Sequence, residues 1–328
     1  MIENSKFLNL VFVIYCSNAF GWTWSFSKKF ELNSDTKLAF FNSRSANFRQ
    51  LIFSWNAIRP KVGFFRFYTK VHTADGWTKW FKMADWGANI QKSYLTKIGD
   101  FAYHHVRLEV PKYKMADAFQ IKVEAMEGAD LSNLKYLNVS VSDLNKFFAE
   151  NLKDIKNLKS VILKNIPAQS QMVIEHEDSN RICSPTSLSM MLGYLMKNRI
   201  DALDIAKNSF DQGLEAYGSW PFNIAHAFEV FPMCHFKVVR LKSFKNLYDY
   251  LIKGVPVVVS VRGNIDGAPQ SYPQGHLMLV NGWNREKNRV HVYDPAFKKN
   301  SKVKHAYRLE DFLKAWERSH RLAYVVDC

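Results

Sequence analysis

Cys183, His276 and Asp294 are the residues of this chain whose types and surroundings best suit joint chemistry. Cys183 stands in Asn180-Arg-Ile-Cys-Ser-Pro-Thr-Ser-Leu-Ser-Met-Met-Leu-Gly-Tyr-Leu195. Ser184 and Pro185 sit where a helix would start, since proline in a first turn forfeits no hydrogen bond. Leu188, Met191, Leu192 and Leu195 then recur at helical spacing and predict one buried face. The thiol thus falls at the N-terminal end of a core helix, where unpaired N–H groups and the helix dipole favour a thiolate. A thiolate nucleophile needs a base and a group to orient that base. Gly275-His276-Leu-Met-Leu-Val-Asn-Gly-Trp283 offers the base, and Val290-His-Val-Tyr-Asp294-Pro-Ala-Phe297 the carboxylate. The chemistry expected of such a set is acyl transfer through a thioester.

These two segments read as a β-hairpin around Asn284-Arg-Glu-Lys-Asn288. A turn centred on Glu286 puts residue 294 opposite residue 278, which shares a strand face with His276. Asp294 is then diagonal to His276, about 7–8 Å away at Cα, within reach of an imidazole. A one-residue slip would send the two to opposite faces. Taken singly, a buried cysteine, a hydrogen-bonded strand histidine and an aspartate before proline are ordinary. Their combination is not.

Stepping out from these residues, 328 positions suit two domains, and 47% apolar with 15% aromatic residues can build real cores. The formal charge of +15 implies anionic surroundings, whether nucleic acid, anionic lipid or an anionic cell-envelope polymer. No Lys/Arg run, zinc-finger spacing or RNA-binding aromatic motif is present, so no nucleic-acid partner is expected. Residues 1–19 read as a signal peptide: Lys6, the apolar run Phe7 to Cys16, then Ser17-Asn-Ala19. About ten apolar residues are too few to span a bilayer, and no later stretch is transmembrane. Export to the periplasm, cell surface or medium is therefore expected. Lipidation at Cys16 is disfavoured, because Val13-Ile-Tyr15 lacks small residues. After signal removal Cys183, Cys234 and Cys328 remain. A Cys234–Cys328 bridge with Cys183 free is one arrangement that suits a catalytic thiol.

Residues 20–141 read as an antiparallel β-sandwich, with strands over Val62–Val71, Trp77–Met83, His105–Val110 and Ala118–Ala125 and a turn at Asp75-Gly76. Residues 142–165 read as a helical linker capped by Ser142. Residues 166–328 mix helices and strands: a helix from Ser243 to Gly254, the strand Val255–Val261, and an amphipathic helix through Leu309, Phe312, Leu313 and Trp316. The fold class is α+β. Trp77, Trp80 and Trp86 are either a platform for sugars or, more commonly for aromatics, sandwich core.

Ile182-Cys-Ser-Pro-Thr-Ser-Leu-Ser-Met-Met-Leu192, Gly275-His-Leu-Met-Leu-Val-Asn-Gly-Trp283 and Val292-Tyr-Asp-Pro-Ala296 resemble the C39-like cysteine peptidase family, a branch of the papain-like fold. Tyr217-Gly-Ser-Trp-Pro-Phe-Asn223 and Gly254-Val-Pro-Val-Val-Val-Ser260 fall between them in the family's order, so the resemblance covers about Ile166 to Val326. It implies Cys183 as nucleophile, His276 as base, Asp294 as orienting residue and Gln171 as oxyanion donor, with Trp220 and Asn223 lining the cleft. The segment Met172 to Ile182 is longer than in transporter-linked members. Phe48-Arg-Gln-Leu-Ile-Phe-Ser-Trp-Asn-Ala57 and Gly76-Trp-Thr-Lys-Trp-Phe81 resemble a β-rich domain that precedes this peptidase domain in many exported bacterial proteins. The implied activity is an exported thiol hydrolase acting on a peptide or protein substrate, with no metal or organic cofactor. An acyltransferase or deamidase would use the same residues, and a cell-surface binding protein with a degenerate peptidase fold is the rival of a different class.

Overall fold

The computed structural model describes residues 21–328, so the expected signal peptide and Cys16 lie outside the described residues. Two antiparallel sheets occupy the N-terminal half. The first runs in the order Thr23–Lys29, Leu134–Ser142, Gln50–Ala57, Arg107–Glu109, Phe101–His104, Thr96–Ile98. The second runs Leu38–Phe48, Ala116–Met126, Phe64–Thr73, Phe81–Gly87, Gln91–Ser93, with Gly76–Trp77 paired back on Phe64–Thr73. Alternation drives this pairing: Phe65, Phe67 and Val71 point inward while Arg66, Tyr68, Lys70 and His72 point out. The inward side chains of both sheets form one apolar cluster that includes Trp55, Phe67, Phe119, Ile121 and Val139. Of the three tryptophans in question, Trp86 is fully buried, Trp80 is half-buried and Trp77 is 47% exposed.

The C-terminal half is a seven-stranded antiparallel sheet in the order His235–Arg240, Leu322–Asp327, Val257–Gly263, Tyr272–Asn284, Arg289–Tyr293, Lys304–Arg308, with Val161–Ile162 paired on Tyr272–Asn284. Helices Phe244–Ile252 and Leu309–Glu317 bury their apolar stripes in one core cluster with this sheet. Ser243 caps the first of them by accepting from the Asn246 N–H. Helices Cys183–Met196 and Trp220–Val230 pack with the sheet in another cluster.

The linker differs from expectation. Ser142 ends a strand, Asp143 caps a single 3-10 turn, and only Leu152–Lys156 is α-helical, capped by Asn151. Leu144, Phe147, Phe148 and Leu152 recur at helical spacing, but tertiary contacts override it: Phe147 packs edge-on against Trp22 and His320, and Arg321 donates to the Phe148 carbonyl. Its end already belongs to the C-terminal sheet, through Val161 and Ile162.

The two halves are not separable bodies. Phe222 and Ala225, on helix Trp220–Val230, lie in the N-terminal core, with Phe222 edge-on to Trp55 at 5.5 Å. The free edge of strand His235–Arg240 meets the outer face of the first sheet. Asn56 both donates to the Phe236 carbonyl and accepts from its N–H, while Ser54 and Ser140 accept from the N–H groups of Val238 and Arg240. Side chains of one sheet thereby satisfy the edge of another, which blunts it against stray pairing. Asp211 accepts from the N–H and hydroxyl of Ser93 at 2.9 and 2.6 Å, and a Cβ at Gly213 would lie 1.9 Å from the Ser93 carbonyl oxygen. Cys234 and Cys328 are disulfide-bonded.

Candidate active site

Cys183 is the first residue of a fourteen-residue helix, Cys183–Met196. The sequence predicts a helix with one apolar face, yet Ser184 through Gly193 are all buried. Its other faces carry small hydroxyls that find partners, which is how a central helix tolerates serine. Ser187, one turn after the thiol, donates to the carbonyl of Leu277 at 3.0 Å, tethering the helix beside His276. Ser184 donates to Asn223 Oδ1 at 3.0 Å and shares a 2.9 Å hydrogen bond with the Tyr324 hydroxyl. Cys183 is the free cysteine and is half-buried.

His276 follows Gly275, whose φ of +97° lies in the region that glycine adopts without strain. Strand Tyr272–Asn284 pairs with Arg289–Tyr293 through Asn284↔Arg289 and Gly282↔His291, then shifts register at Asn281 to Val280↔Val292 and Leu279↔Tyr293. The bulge decides the site. Without it, residue 294 would oppose 279 and face away from His276; with it, the offset centred on Glu286 is restored. Asn281 is held there through paired hydrogen bonds with Leu163.

His276 and Asp294 are buried, and His276 Nε2 lies 2.8 Å from Asp294 Oδ1. The other ring nitrogen is left for Cys183, to which the ring hydrogen-bonds. Asp294 has a full set of donors: Ala296 N–H on Oδ1 at 3.0 Å, and the hydroxyls of Tyr272 and Tyr307 on Oδ2 at 2.7 Å each. Burial pushes this carboxyl up, but His276 and these donors outweigh it and hold it below its ordinary value. Burial would likewise lower His276, yet Asp294 and Cys183 raise it to about 10. Burial raises the Cys183 thiol, while the hydrogen bond and charge of His276, with the N–H groups of Leu277 and Ser184, bring it below the ordinary thiol value. The arrangement therefore favours a thiolate–imidazolium pair. The Tyr272 ring stacks on the imidazole at 4.2 Å with a 9° interplanar angle, a face that also favours the cation.

Gln171 is buried, and its backbone N–H donates to the carbonyl of Pro295, the residue after Asp294. Its side-chain amide donates to the Ser179 carbonyl at 3.0 Å, close in sequence to the thiol helix. Gln171 thus bridges the approaches to Cys183 and Asp294. Trp220 is half-buried and, like Cys183, lies at the margin of the same apolar cluster. Asn223 does not face an open groove. It is fully buried, with its amide donating to the carbonyls of Tyr217 and Ser219 and its oxygen accepting from Ser184. Sequence reasoning missed Tyr272, Tyr307, Tyr324, Ser184 and Ser187. Tyr272 was reachable, because four residues along a strand keep it on the His276 face. Tyr307 reaches Asp294 from Lys304–Arg308, a strand whose place no local pattern gives. Among the described residues no group of His, Cys, Asp and Glu is arranged to hold a metal ion.

Residues 163–324 match the model described as the Peptidase_C39 like family. That stretch of the chain, 163–324, is similar to the C39-like peptidase family. A solved structure from Bacillus anthracis, named as a candidate C39-like peptidase, is 19% identical, with a TM-score of 0.41; the match covers 52% of this chain and 98% of that one. No curated protein matches the chain.

Proposed function

We propose that the chain is an exported cysteine peptidase that works through Cys183, His276 and Asp294. The observation that carries this reading is the buried His276–Asp294 pair, its carboxylate holding a complete set of donors, with the Cys183 thiol beside the imidazole at a helix N-terminus. The Cys183 thiolate attacks the amide carbonyl carbon, and the tetrahedral oxyanion forms at the helix N-terminus, where the Cys183 backbone N–H and the Gln171 amide are its donors. His276 gives its proton to the departing amine as the thioester forms. It then takes a proton from water, which attacks the thioester and releases the acid. No step calls for a metal or organic cofactor. Trp220 borders the cleft, while Asn223 acts behind it, fixing Ser184 and hence the start of the thiol helix.

The helix bearing the thiol, packed on an antiparallel sheet bearing histidine and aspartate, supports a papain-like arrangement. The paired N-terminal sheets with a shared core support a β-sandwich. Export is supported by the Cys234–Cys328 disulfide, since such bonds persist in oxidising compartments. An anionic envelope polymer is the partner suited to the net charge. An acyltransferase or deamidase would differ only in what resolves the thioester. The intact triad weighs against a degenerate binding protein.

The test is the rate of Cys183 alkylation by iodoacetamide from pH 4 to 9, in native protein and in His276→Ala. The expected result is fast labelling with an apparent pKa well below the free-thiol value of about 8.5, lost in the variant. An ordinary pKa in both proteins would sink the reading, as would unchanged turnover in Cys183→Ala.

A further inference from the structure

We infer that the outer face of the second N-terminal sheet is a binding surface for an acidic polysaccharide carrying carboxylate groups, which gives the anionic partner proposed above a place and a chemistry. Lys122, Tyr68 and Lys82 are cross-strand neighbours in register on three adjacent strands. Strands lie about 4.8 Å apart, so the two lysines flank Tyr68 with backbones about 10 Å apart. Alternate sugars of a linear uronate chain can meet that spacing. Lys122 Nζ sits 4.3 Å from the Tyr68 ring centre, and Lys82 Nζ sits 3.7 Å from that of Tyr94. One pleat along, Lys70 Nζ lies between Trp77 and Trp80, at 5.0 and 4.8 Å.

Charge decides the class of partner. Arg66, Lys70, Lys82, Lys92 and Lys122 share this face with Asp85, Asp117 and Glu124. Asp85 pairs with Arg66 and Lys82, Glu124 with Lys122, and Asp117 with His72. Among the described residues Lys70 and Lys92 have no carboxylate within ion-pair distance. The face is left net positive, with its unpaired ammonium groups placed over rings. A lysine that turns toward a carboxylate uncovers the ring beneath it for the C–H face of a sugar. Trp77 and Trp80 supply the rings here, whereas the middle of the first sheet is covered by strand His235–Arg240, whose backbone bonds to Asn56, Ser54 and Ser140.

The test is binding by full-length, disulfide-intact Cys183→Ala protein to polygalacturonate, neutral dextran, inorganic polyphosphate and an oligothymidylate. This variant separates the inference from the peptidase reading, whose own test is thiol reactivity. Saturable polygalacturonate binding that weakens with salt is expected, with at least a tenfold loss in Lys70→Ala/Lys122→Ala and a smaller loss in Trp77→Ala. Circular dichroism and thermal melting of these variants should match the parent. Equal binding of dextran, tighter binding of polyphosphate or oligothymidylate, or folded variants that bind polygalacturonate as the parent does would each overturn the inference.

Discussion

The Asp294 cluster and the lysine–aromatic face handle charge in opposite ways. Asp294 is withdrawn from water and surrounded by His276, Tyr272, Tyr307 and the Ala296 N–H, so each lone pair has a fixed partner. Lys70 keeps its water and rests between two indole rings. A buried charge is stable only while its partners are complete, and losing one leaves the rest uncompensated. An exposed ammonium over a ring gains little and loses little, about 0.5–1 kcal/mol. One region is therefore built to hold a geometry, and the other to exchange partners.

The largest effect that would sharpen this contrast is at Asp294. Asp294→Asn removes the counter-charge of His276, and the rate of hydrolysis should fall by about 10³- to 10⁴-fold with the fold retained. The lowered thiol pKa expected of the native protein should be lost in the same variant when iodoacetamide labelling is followed against pH.

Tyr272→Phe and Tyr307→Phe come next. Each removes a hydroxyl bonded to a charged group, a bond worth about 1.5–3 kcal/mol, so turnover should fall about tenfold for each. Tyr272→Phe keeps the stack on His276 and Tyr272→Leu does not, so the leucine variant should lower the alkaline limb of the kcat profile further. Equal profiles for the two would show that the ring face does nothing.

Stability should follow pH in the sense set by these shifts. The depressed Asp294 contributes stability above its unfolded value of about 4 and loses it as pH falls through its lower native value. The raised His276 contributes fully below its unfolded value of about 6.5 and loses it as pH rises through about 10. Melting temperature should decline on both sides in the native protein, and both declines should be shallower in Asp294→Asn.

The smallest effect belongs to the other region. Lys70→Ala should change stability by no more than about 1 kcal/mol, with the iodoacetamide pH profile superimposable on that of native protein. A change of several degrees in melting would break the contrast, since it would mean that the lysine–ring contacts hold the sheet together.

The site was more legible in the sequence than the framework around it. Cys183, His276 and Asp294 lie in strongly patterned segments, where the helix start and the hairpin turn each have local signals. The hairpin argument reached the correct diagonal only because the bulge at Asn281 offsets a half-residue error in the turn centre, and that bulge depends on Leu163, more than a hundred residues earlier. Tyr307 and Tyr324 come from later strands, so their contacts to Asp294 and Ser184 have no local trace. The strands Phe64–Thr73 and Ala116–Met126 were legible from alternation. The strand expected over His105–Val110 was not well placed, because His105 and Val106 take positive φ and make a turn where β-branched character suggests extension. The helical linker failed although its apolar spacing is helical, because Trp22, His320 and Arg321, all distant in sequence, hold Phe147 and Phe148 in an extended path.

The helix Trp220–Val230 has a consequence for how the molecule comes apart. Phe222 belongs to one core, Ile224 to another, and Asn223 between them holds the serine beside the thiol. Heat or denaturant acting on either half must pull on the same eleven residues. Calorimetry should record a single cooperative transition rather than two. A fragment cut to the family-matched span 163–324 would carry Cys183, His276 and Asp294 and yet expose Phe222 and Ala225 to water. The span that matches the family is smaller than the span whose cores are shared, since Ile52 of the first sheet lies in the cluster that Cys183 packs against.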